Sequence, residues 1–261
     1  MARTVADCAL MLNVLARPDA RDWHALPDAG TDWTAGLNAG VRGMRIAYSP
    51  RLGYVRRVDA DVEARVAEAV RVFGTLGATV EQVDPGFADC GELFWRHWTI
   101  GAYNGLRHLP PAKHALLEPA LQETYRAGEC ELLTSYLDAV AARAALGTHM
   151  QLFHQRFDLL LTPALAVPAF EVGQLAPAQP GSLARWTDWT PFSFPFNLTQ
   201  QPAMSVPCGF TREGLPAGLQ LVGPVHREDI VLRAANAFEL ATEFARQRPE
   251  LASAPERGPN P

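Results

Sequence analysis

The first regular pattern of apolar and polar positions lies between Thr4 and Pro18. Thr4 and Asp7 form a short capping box, the pattern that begins a helix, and Pro18 marks its end. The apolar side chains between them occupy nearly the whole circumference of a helical wheel. A helix that is apolar all round is typically buried all round, so this helix requires protein packed against it on several sides.

An α/β pattern begins near residue 40. Residues 44–48 alternate as in a strand, and residues 59–77 carry an apolar stripe at helical spacing, with Gly77 as a stop. Residues 79–83 predict the next strand. Strand, helix and strand at this spacing indicate a βαβ-like unit, whose strand pairing stays open at this point.

The middle of the chain changes to aromatic-rich helix. Residues 91–157 are mostly helical by pattern, with breaks at Pro110-Pro111 and at Pro119. Residues 158–162 form a continuous apolar run that predicts a buried strand. A connection rich in proline and glycine follows at residues 163–195.

The last third predicts two strands and a helix. Residues 203–210 and 218–223 have the pattern of strands joined by a turn around Arg212-Glu213-Gly214. Residues 226–247 form an amphipathic helix with acidic residues in its first turn. The proline-rich tail 249–261 is predicted to be disordered, which leaves residues 1–248 as one structured unit.

Composition narrows the classes of function. The formal net charge of −5 argues against binding to nucleic acid or anionic membranes, both of which need clustered cations. No apolar run reaches the roughly 18 residues that cross a membrane, and no secretion signal is recognisable, so we expect a cytoplasmic protein. The four cysteines are far apart, without metal-ligand spacing, and are expected to be reduced thiols.

The search for catalytic side chains centres on residues 196–210, FNLTQQPAMSVPCGF. Ser205 and Cys208 are nucleophile types, but a lone serine or cysteine needs an activating base, and the sequence places none beside them. The chain has no GxSxG motif, and a buried strand cysteine is the favoured interpretation of Cys208. His149 and His154 lie five residues apart and do not share a helix face as metal ligands would.

The same stretch carries a family resemblance. FNLTQQPAMSVPCGF, followed by GLPAGLQLVGP at 214–224, resembles the C-terminal part of the amidase signature family. That family includes bacterial amidases and the A subunit of glutamyl-tRNA amidotransferase. Gln200 stands where the family usually has glycine. Further segments that resemble the family are MARTVADCALML (1–12), GMRIAY (43–48), FDLLLTPALAVPAF (157–170) and WTPFSFPFN (189–197).

The resemblance implies amide hydrolysis, yet its catalytic residues have no counterpart here. The family uses two serines and a lysine from a Gly/Ser-rich segment upstream of the first helix. None of the six serines is adjacent to another, and Lys113, the only lysine, lies in a different context. We therefore carry over no catalytic residue and expect a chain that is inactive alone. The resemblance implies neither a metal nor an organic cofactor.

Three interpretations of the function follow. The first is the C-terminal part of an amidase, truncated or separated from its catalytic core, with a small amide as substrate. The second is a non-catalytic binding protein, or half of a split amidase completed by a separate N-terminal chain. The third, a self-sufficient hydrolase using Cys208 or Ser205, is disfavoured because no base is placed for either.

The resemblance also implies a fold and a substrate-binding segment. The expected architecture is α/β, a mixed sheet flanked by helices that forms an incomplete α/β/α sandwich. We expect the first helix and a sheet edge to expose apolar area, so that Leu10, Leu12 and Leu15 are not all buried. The predicted substrate-binding residues are Trp189, Thr190, Phe192 and Phe194, with ordinary aromatic packing as the alternative for each.

Overall fold

A computed structural model describes residues 1–28, 30–177, 185–242, 244 and 247 of the 261-residue chain. The predicted disordered tail 249–261 lies outside the described residues, as does part of the connection 163–195. The strands are β1 (Arg45–Tyr48), β2 (Thr79–Gln82), β3 (Leu159–Pro163), β4 (Ala203–Phe210) and β5 (Pro216–Val222). The helices are α1 (Val5–Leu15), α2 (Ala60–Thr75), α3 (Gly91–Leu106), α4 (Pro111–His114), α5 (Pro119–Glu129), α6 (Leu133–Phe153), α7 (Phe194–Thr199) and α8 (Glu228–Ala241).

The five strands form one mixed sheet in the order β2-β1-β3-β5-β4. β1 lies between β2 and β3 and is parallel to both, so β1, α2 and β2 form the predicted βαβ unit. β5 is antiparallel to both β3 and β4. β2 and β4 are therefore the two edges of an open sheet, as expected for a mixed α/β architecture.

Helices cover both faces of the sheet. On one face α2 and α8 pack together, with the rings of Phe73 and Phe238 stacked 5.4 Å apart in the largest apolar cluster. On the other face Phe153, Phe157 and Phe192 pack against sheet residues of a second cluster. α3 and α5 pack together outside this layer, where α3 contacts α6 and α7. The predicted fold class is confirmed: a mixed sheet flanked by helices.

α1 is capped as predicted but only partly covered. The Thr4 Oγ1 accepts a hydrogen bond from the Asp7 N–H at 3.0 Å, and the Val5 N–H donates to Glu239 of α8. Only Val5 and Ala9 of this helix are buried. The exposed apolar side chains of α1 are Leu10 (60%), Met11 (39%), Val14 (62%) and Leu15 (69%). The expectation that Leu10, Leu12 and Leu15 are not all buried is thus confirmed.

Two boundaries differ from the sequence patterns. α7 begins at the end of the predicted connection 163–195 and continues through residues 196–199, for which no element was predicted; it has a proline in its first turn, a position that tolerates the missing N–H. The closing helix begins at Glu228 rather than at residue 226, because His226 adopts a left-handed backbone conformation with φ of 64°. Its described part ends at Ala241, since Thr242 is extended.

Candidate functional site

A cavity of about 510 Å³ opens beyond the carboxyl ends of β1 and β3. In open α/β sheets this is the edge at which ligands bind, because the loops that follow parallel strands meet there. The β1 loop contributes residues 54–57, the β3 loop contributes Ala166 and Val167, and α3 contributes its first turn. The segment 185–194, which leads into α7, forms a further wall.

The loop after β1 is held by a short chain of hydrogen bonds. Ser49, fully buried, donates from its hydroxyl to Asp84 at 2.6 Å and accepts from the Leu52 N–H at 2.8 Å. Leu52 and Gly53 both have positive φ, and the turn they make directs the chain towards the cavity. Loop geometry at this wall is therefore fixed by the end of the neighbouring strand β2.

Tyr54 ties two walls of the cavity together. Its hydroxyl donates a hydrogen bond to the backbone oxygen of Pro191 at 2.6 Å, across 137 residues of sequence. Burial raises the pKa of Tyr54 well above its ordinary value, so the phenol stays protonated and keeps donating at any physiological pH. This hydrogen bond therefore joins the β1 loop to the segment before α7.

Aromatic side chains form the apolar part of the lining. The Phe194 ring stacks on Phe94 with centroids 4.6 Å apart, and Trp189 meets Phe170 edge to face at 5.2 Å. The Trp189 Nε1–H is buried and has no hydrogen-bond partner among the described residues. An unpaired buried donor of this kind costs about 1–3 kcal/mol.

One ion pair of the described residues lies on the rim of the cavity. Arg185 reaches Glu92 at 2.6 Å and also lies over the Trp95 ring, 4.9 Å from its centroid. Asp188 accepts a hydrogen bond from the Arg185 N–H at 3.0 Å. The opposed charges balance locally, so this part of the rim favours a neutral ligand over a strongly charged one.

The four predicted substrate-binding residues do not share one environment. Trp189 and Phe194 line the cavity, which brings them within reach of one ligand. Thr190 donates its hydroxyl to the Thr187 backbone oxygen at 2.9 Å. Phe192 is fully buried in the second apolar cluster, and its backbone oxygen accepts from Gln220 at 2.9 Å. Contact with substrate stays a prediction for all four residues.

Other lining residues were not identified from the sequence. Tyr54, Ala166 and Val167 line the cavity, although none of them was predicted to bind substrate. Their common feature is position: each lies a few residues beyond the end of a parallel strand. In open α/β sheets ligands bind beyond the carboxyl ends of the strands, so the loops after the predicted strands 44–48 and 158–162 are both candidates for ligand contact.

The cysteines offer no activated nucleophile. Burial raises the pKa values of Cys208 and Cys90 to about 12, so both are neutral thiols near pH 7. Cys208 faces the core between the sheet and α2, not the cavity.

Ser205 and Lys113 do not form part of a site at the cavity either. Ser205 is exposed on β4, and Lys113 lies in the short helix α4. Neither of them lines the cavity. Among the residues that the structure describes, no cluster of three or more His, Cys, Asp or Glu side chains could hold a metal ion. Within the same residues, no helix has the length and apolarity needed to span a membrane.

Comparison with known proteins finds one family. A profile of the Amidase family matches residues 1–232. The chain is 34% identical over 257 residues to an acylamidase of Rhodococcus erythropolis, covering 95% of this chain and 53% of that protein. It is also 34% identical over 281 residues to the A subunit of the glutamyl-tRNA(Gln) amidotransferase of Myxococcus xanthus, covering 96% of this chain and 56% of that protein.

Solved structures agree with the sequence relatives. A bacterial aryl acylamidase of the amidase signature family superposes with a TM-score of 0.81 at 29% identity, covering 94% of this chain and 53% of that one. The A subunit of the Thermotoga maritima glutamyl-tRNA(Gln) amidotransferase superposes with a TM-score of 0.69 at 23% identity, a likeness of fold. The chain thus spans about half the length of the relatives it matches.

Proposed function

The chain belongs to the amidase family, and from this premise we propose that it is the C-terminal part of a hydrolase that cleaves the carbon–nitrogen bond of amides. The observation that carries the proposal is the continuous family match over residues 1–232. The fold supports it, since the sheet and both helical layers superpose on an aryl acylamidase. Activity is assigned to the completed enzyme, because these residues correspond to about half of such a protein.

In this proposal the chain supplies a substrate wall rather than the nucleophile. Trp189 and Phe194 hold an apolar or aromatic group beside the scissile amide. A serine hydroxyl from outside these residues adds to the amide carbonyl, the amine leaves with a proton, and water then releases the acid. Without a nucleophile and its base, binding alone gives only weak residual catalysis.

The test measures amide hydrolysis with p-nitroacetanilide as the probe. We expect no turnover by chain 1–261 alone, and turnover after addition of the half of the Rhodococcus erythropolis acylamidase that this chain does not match. In that mixture, Trp189→Ala lowers kcat/KM about tenfold, mostly through KM, because the contact of the substrate with the ring is lost. Trp23→Ala, at an exposed tryptophan outside the cavity, serves as the matched control.

Each of the other interpretations of the function predicts a different result in this assay. Turnover by chain 1–261 alone, lost on Cys208→Ala or Ser205→Ala, would establish the self-sufficient hydrolase instead. A complex that forms but hydrolyses nothing would favour the non-catalytic binding protein. The split amidase, completed by a separate N-terminal chain, is a second candidate because α1 carries exposed apolar side chains beside an open sheet edge.

A further inference from the structure

A buried polar pair lies on the face of the sheet that carries the second apolar cluster. Gln220 of β5 and Thr162 of β3 are cross-strand partners in the antiparallel pair, and both side chains are buried. Side chains alternate along β5, so Gln220 shares its face with Val222, a member of that cluster. A polar side chain in an apolar layer is costly unless it is hydrogen-bonded, so its partners indicate what it holds in place.

The side-chain amide of Gln220 makes two hydrogen bonds. Its Nε2 donates to the Thr162 hydroxyl oxygen at 3.0 Å and to the Phe192 backbone oxygen at 2.9 Å. The Thr162 hydroxyl donates its one proton to the Pro163 backbone oxygen at 2.8 Å, which leaves its oxygen as an acceptor for Gln220. Because both partners of Gln220 accept, the NH₂ end of its amide has to face Phe192.

Tyr54 holds the carbonyl next to the one that Gln220 holds. Its hydroxyl donates to the Pro191 backbone oxygen at 2.6 Å. Two consecutive carbonyls are thus held by side chains from two different elements, the β1 loop and β5. The Phe192 ring between them is fully buried in the second apolar cluster. This part of the cavity wall is therefore anchored at two backbone oxygens and one ring.

The wall segment also has hydrogen bonds of its own. The Thr190 N–H donates to the Thr187 oxygen at 3.1 Å, and the Ser193 N–H donates to the Thr190 oxygen at 3.0 Å. These two turns define the local shape of the segment, but they do not fix it relative to the sheet. The bonds from Tyr54 and Gln220 provide that connection, between the two lining residues Trp189 and Phe194.

We propose that Tyr54 and Gln220 are positioning residues, which hold segment 189–194 so that Trp189 and Phe194 contact the substrate. The proposal rests on the proposed function and assigns a role in it to two residues outside the predicted substrate-binding set. Groups that bind substrate must be held within about 0.5 Å of the productive geometry. Gln220 is not among the described residues that line the cavity, so it acts through the Phe192 carbonyl.

The first test measures hydrogen exchange in chain 1–261 by NMR. Tyr54→Phe and Gln220→Met each remove the donor and keep a side chain of similar size. We expect the Thr190 and Ser193 amides to exchange at least about tenfold faster in each variant, because the turns open more often once a carbonyl anchor is lost. Exchange at the β3 amides in the same samples distinguishes local opening from global unfolding.

Two matched controls remove similar groups on the other face of the sheet. Asn236 of α8 is buried and donates its side-chain amide to the Leu37 backbone oxygen at 3.0 Å, so Asn236→Leu loses the same kind of bond. Tyr48→Phe removes a phenol hydroxyl from a residue of the largest apolar cluster. Neither residue lines the cavity. Both variants should leave exchange at Thr190 and Ser193 unchanged relative to the β3 amides.

The second test uses the complex of chain 1–261 with the unmatched half of the Rhodococcus erythropolis acylamidase. With p-nitroacetanilide as the probe, Tyr54→Phe and Gln220→Met should raise KM about tenfold and leave kcat within about twofold. The reason is that the wall binds the ground state and the transition state alike. A role in folding alone would reduce the amount of active complex, and so lower the apparent kcat, without changing KM. Asn236→Leu and Tyr48→Phe should leave KM unchanged.

Two results would overturn the proposal: unchanged exchange at Thr190 and Ser193 in both variants, or faster exchange with the KM of the parent. If the parent complex hydrolyses nothing, the proposed function fails. Binding of p-nitroacetanilide to chain 1–261, measured from the chemical shift of the Trp189 indole N–H, then decides the role of the two residues. A dissociation constant raised about tenfold in Tyr54→Phe and Gln220→Met would support it. An unchanged constant, or no binding by the parent chain, would refute it.

Discussion

Gln200 ends α7 in the left-handed backbone conformation, with φ of 59° and ψ of 28°. Left-handed conformations cost a residue with a side chain about 1–2 kcal/mol, whereas glycine adopts them freely. The amidase family usually has glycine at this position, so this chain keeps the backbone turn and accepts its strain. The Gln200 side chain is exposed, so it takes up no space in the core.

We predict that Gln200→Gly raises the free energy of unfolding by about 1 kcal/mol, because strain is relieved at a small entropic cost in the unfolded chain. Urea denaturation monitored by circular dichroism measures the difference. Gln200→Ala is the control and should give no such gain, since alanine keeps the strained conformation. Equal or lower stability of Gln200→Gly would contradict the assignment of strain.

Cys208 provides a second residue-scale prediction. Because burial raises its pKa to about 12, less than about one thiol in a thousand is ionised at pH 8, and the reactive thiolate forms only as the pH approaches 12. A maleimide added to the native protein at pH 8 should label the exposed Cys130 first, and Cys208 only after unfolding. Peptide mass spectrometry distinguishes the sites, and Cys130→Ser should remove the fast reaction. Labelling of Cys208 as fast as Cys130 would support an activated thiol.

Some residues of the candidate site could be predicted from the sequence, and others could not. Trp189 and Phe194 were nominated by a family-like segment, and both line the cavity. Tyr54 and Ala166 were not, because they are more than a hundred residues apart in sequence and meet only where β1 pairs with β3. Ser205 and Cys208, three residues apart in the motif, lie on opposite faces of β4, one exposed and one buried, as the alternation of side chains along a strand predicts.

At the scale of secondary-structure elements, the close approach of α3 and α5 depends on Gly128. A Cβ at this position would collide with the Thr99 backbone carbonyl and lie 2.9 Å from the Tyr103 Cβ. Glycine is therefore required where the two helices cross. Helix packing at this contact is backbone to backbone, without room for a side chain.

We predict that Gly128→Ala lowers the free energy of unfolding by about 2–3 kcal/mol, because the helices must separate to admit the methyl group. Gly105→Ala is a matched control within α3, where an added Cβ meets nothing within 4 Å. That change should raise stability by up to about 1 kcal/mol through helix propensity. Urea unfolding of both variants measures the contrast, and similar effects at the two glycines would argue against the close contact.

Elements with strong periodicity were predictable, and short proline-flanked ones were not. β3 was evident as an apolar run, and α2 was evident from its apolar stripe and the stop at Gly77. α7 was missed because six residues that include Pro195 give too little pattern to distinguish a helical turn from a connection. α8 is shorter than predicted because His226 adopts a left-handed backbone conformation, which cannot be predicted from the residue type.

At the scale of the whole molecule, the family resemblance implied the fold class. The hydrophobic patterns alone did not predict the order of the strands in the sheet. β1 pairs with β3 although the two strands are far apart in sequence, and beside this pair the Arg45 N–H donates a hydrogen bond to Asp158, 113 residues away. Such pairing depends on tertiary contacts, which hydrophobic periodicity and strand propensity do not encode. The exposed surface of α1 was expected from the family resemblance, since an all-apolar helix needs cover on every side.

The central claim is that the nucleophile for amide hydrolysis comes from outside residues 1–261. An alkyl phosphonofluoridate tests this directly, since an activated serine hydroxyl displaces fluoride and retains the phosphonyl group as a mass increase. The measurement is intact mass after labelling the complex of this chain with the unmatched acylamidase half, and after labelling each chain alone. We predict a phosphonyl adduct on the acylamidase half and none on chain 1–261. A stoichiometric adduct on Ser205, or on any other serine of chain 1–261, would contradict the account.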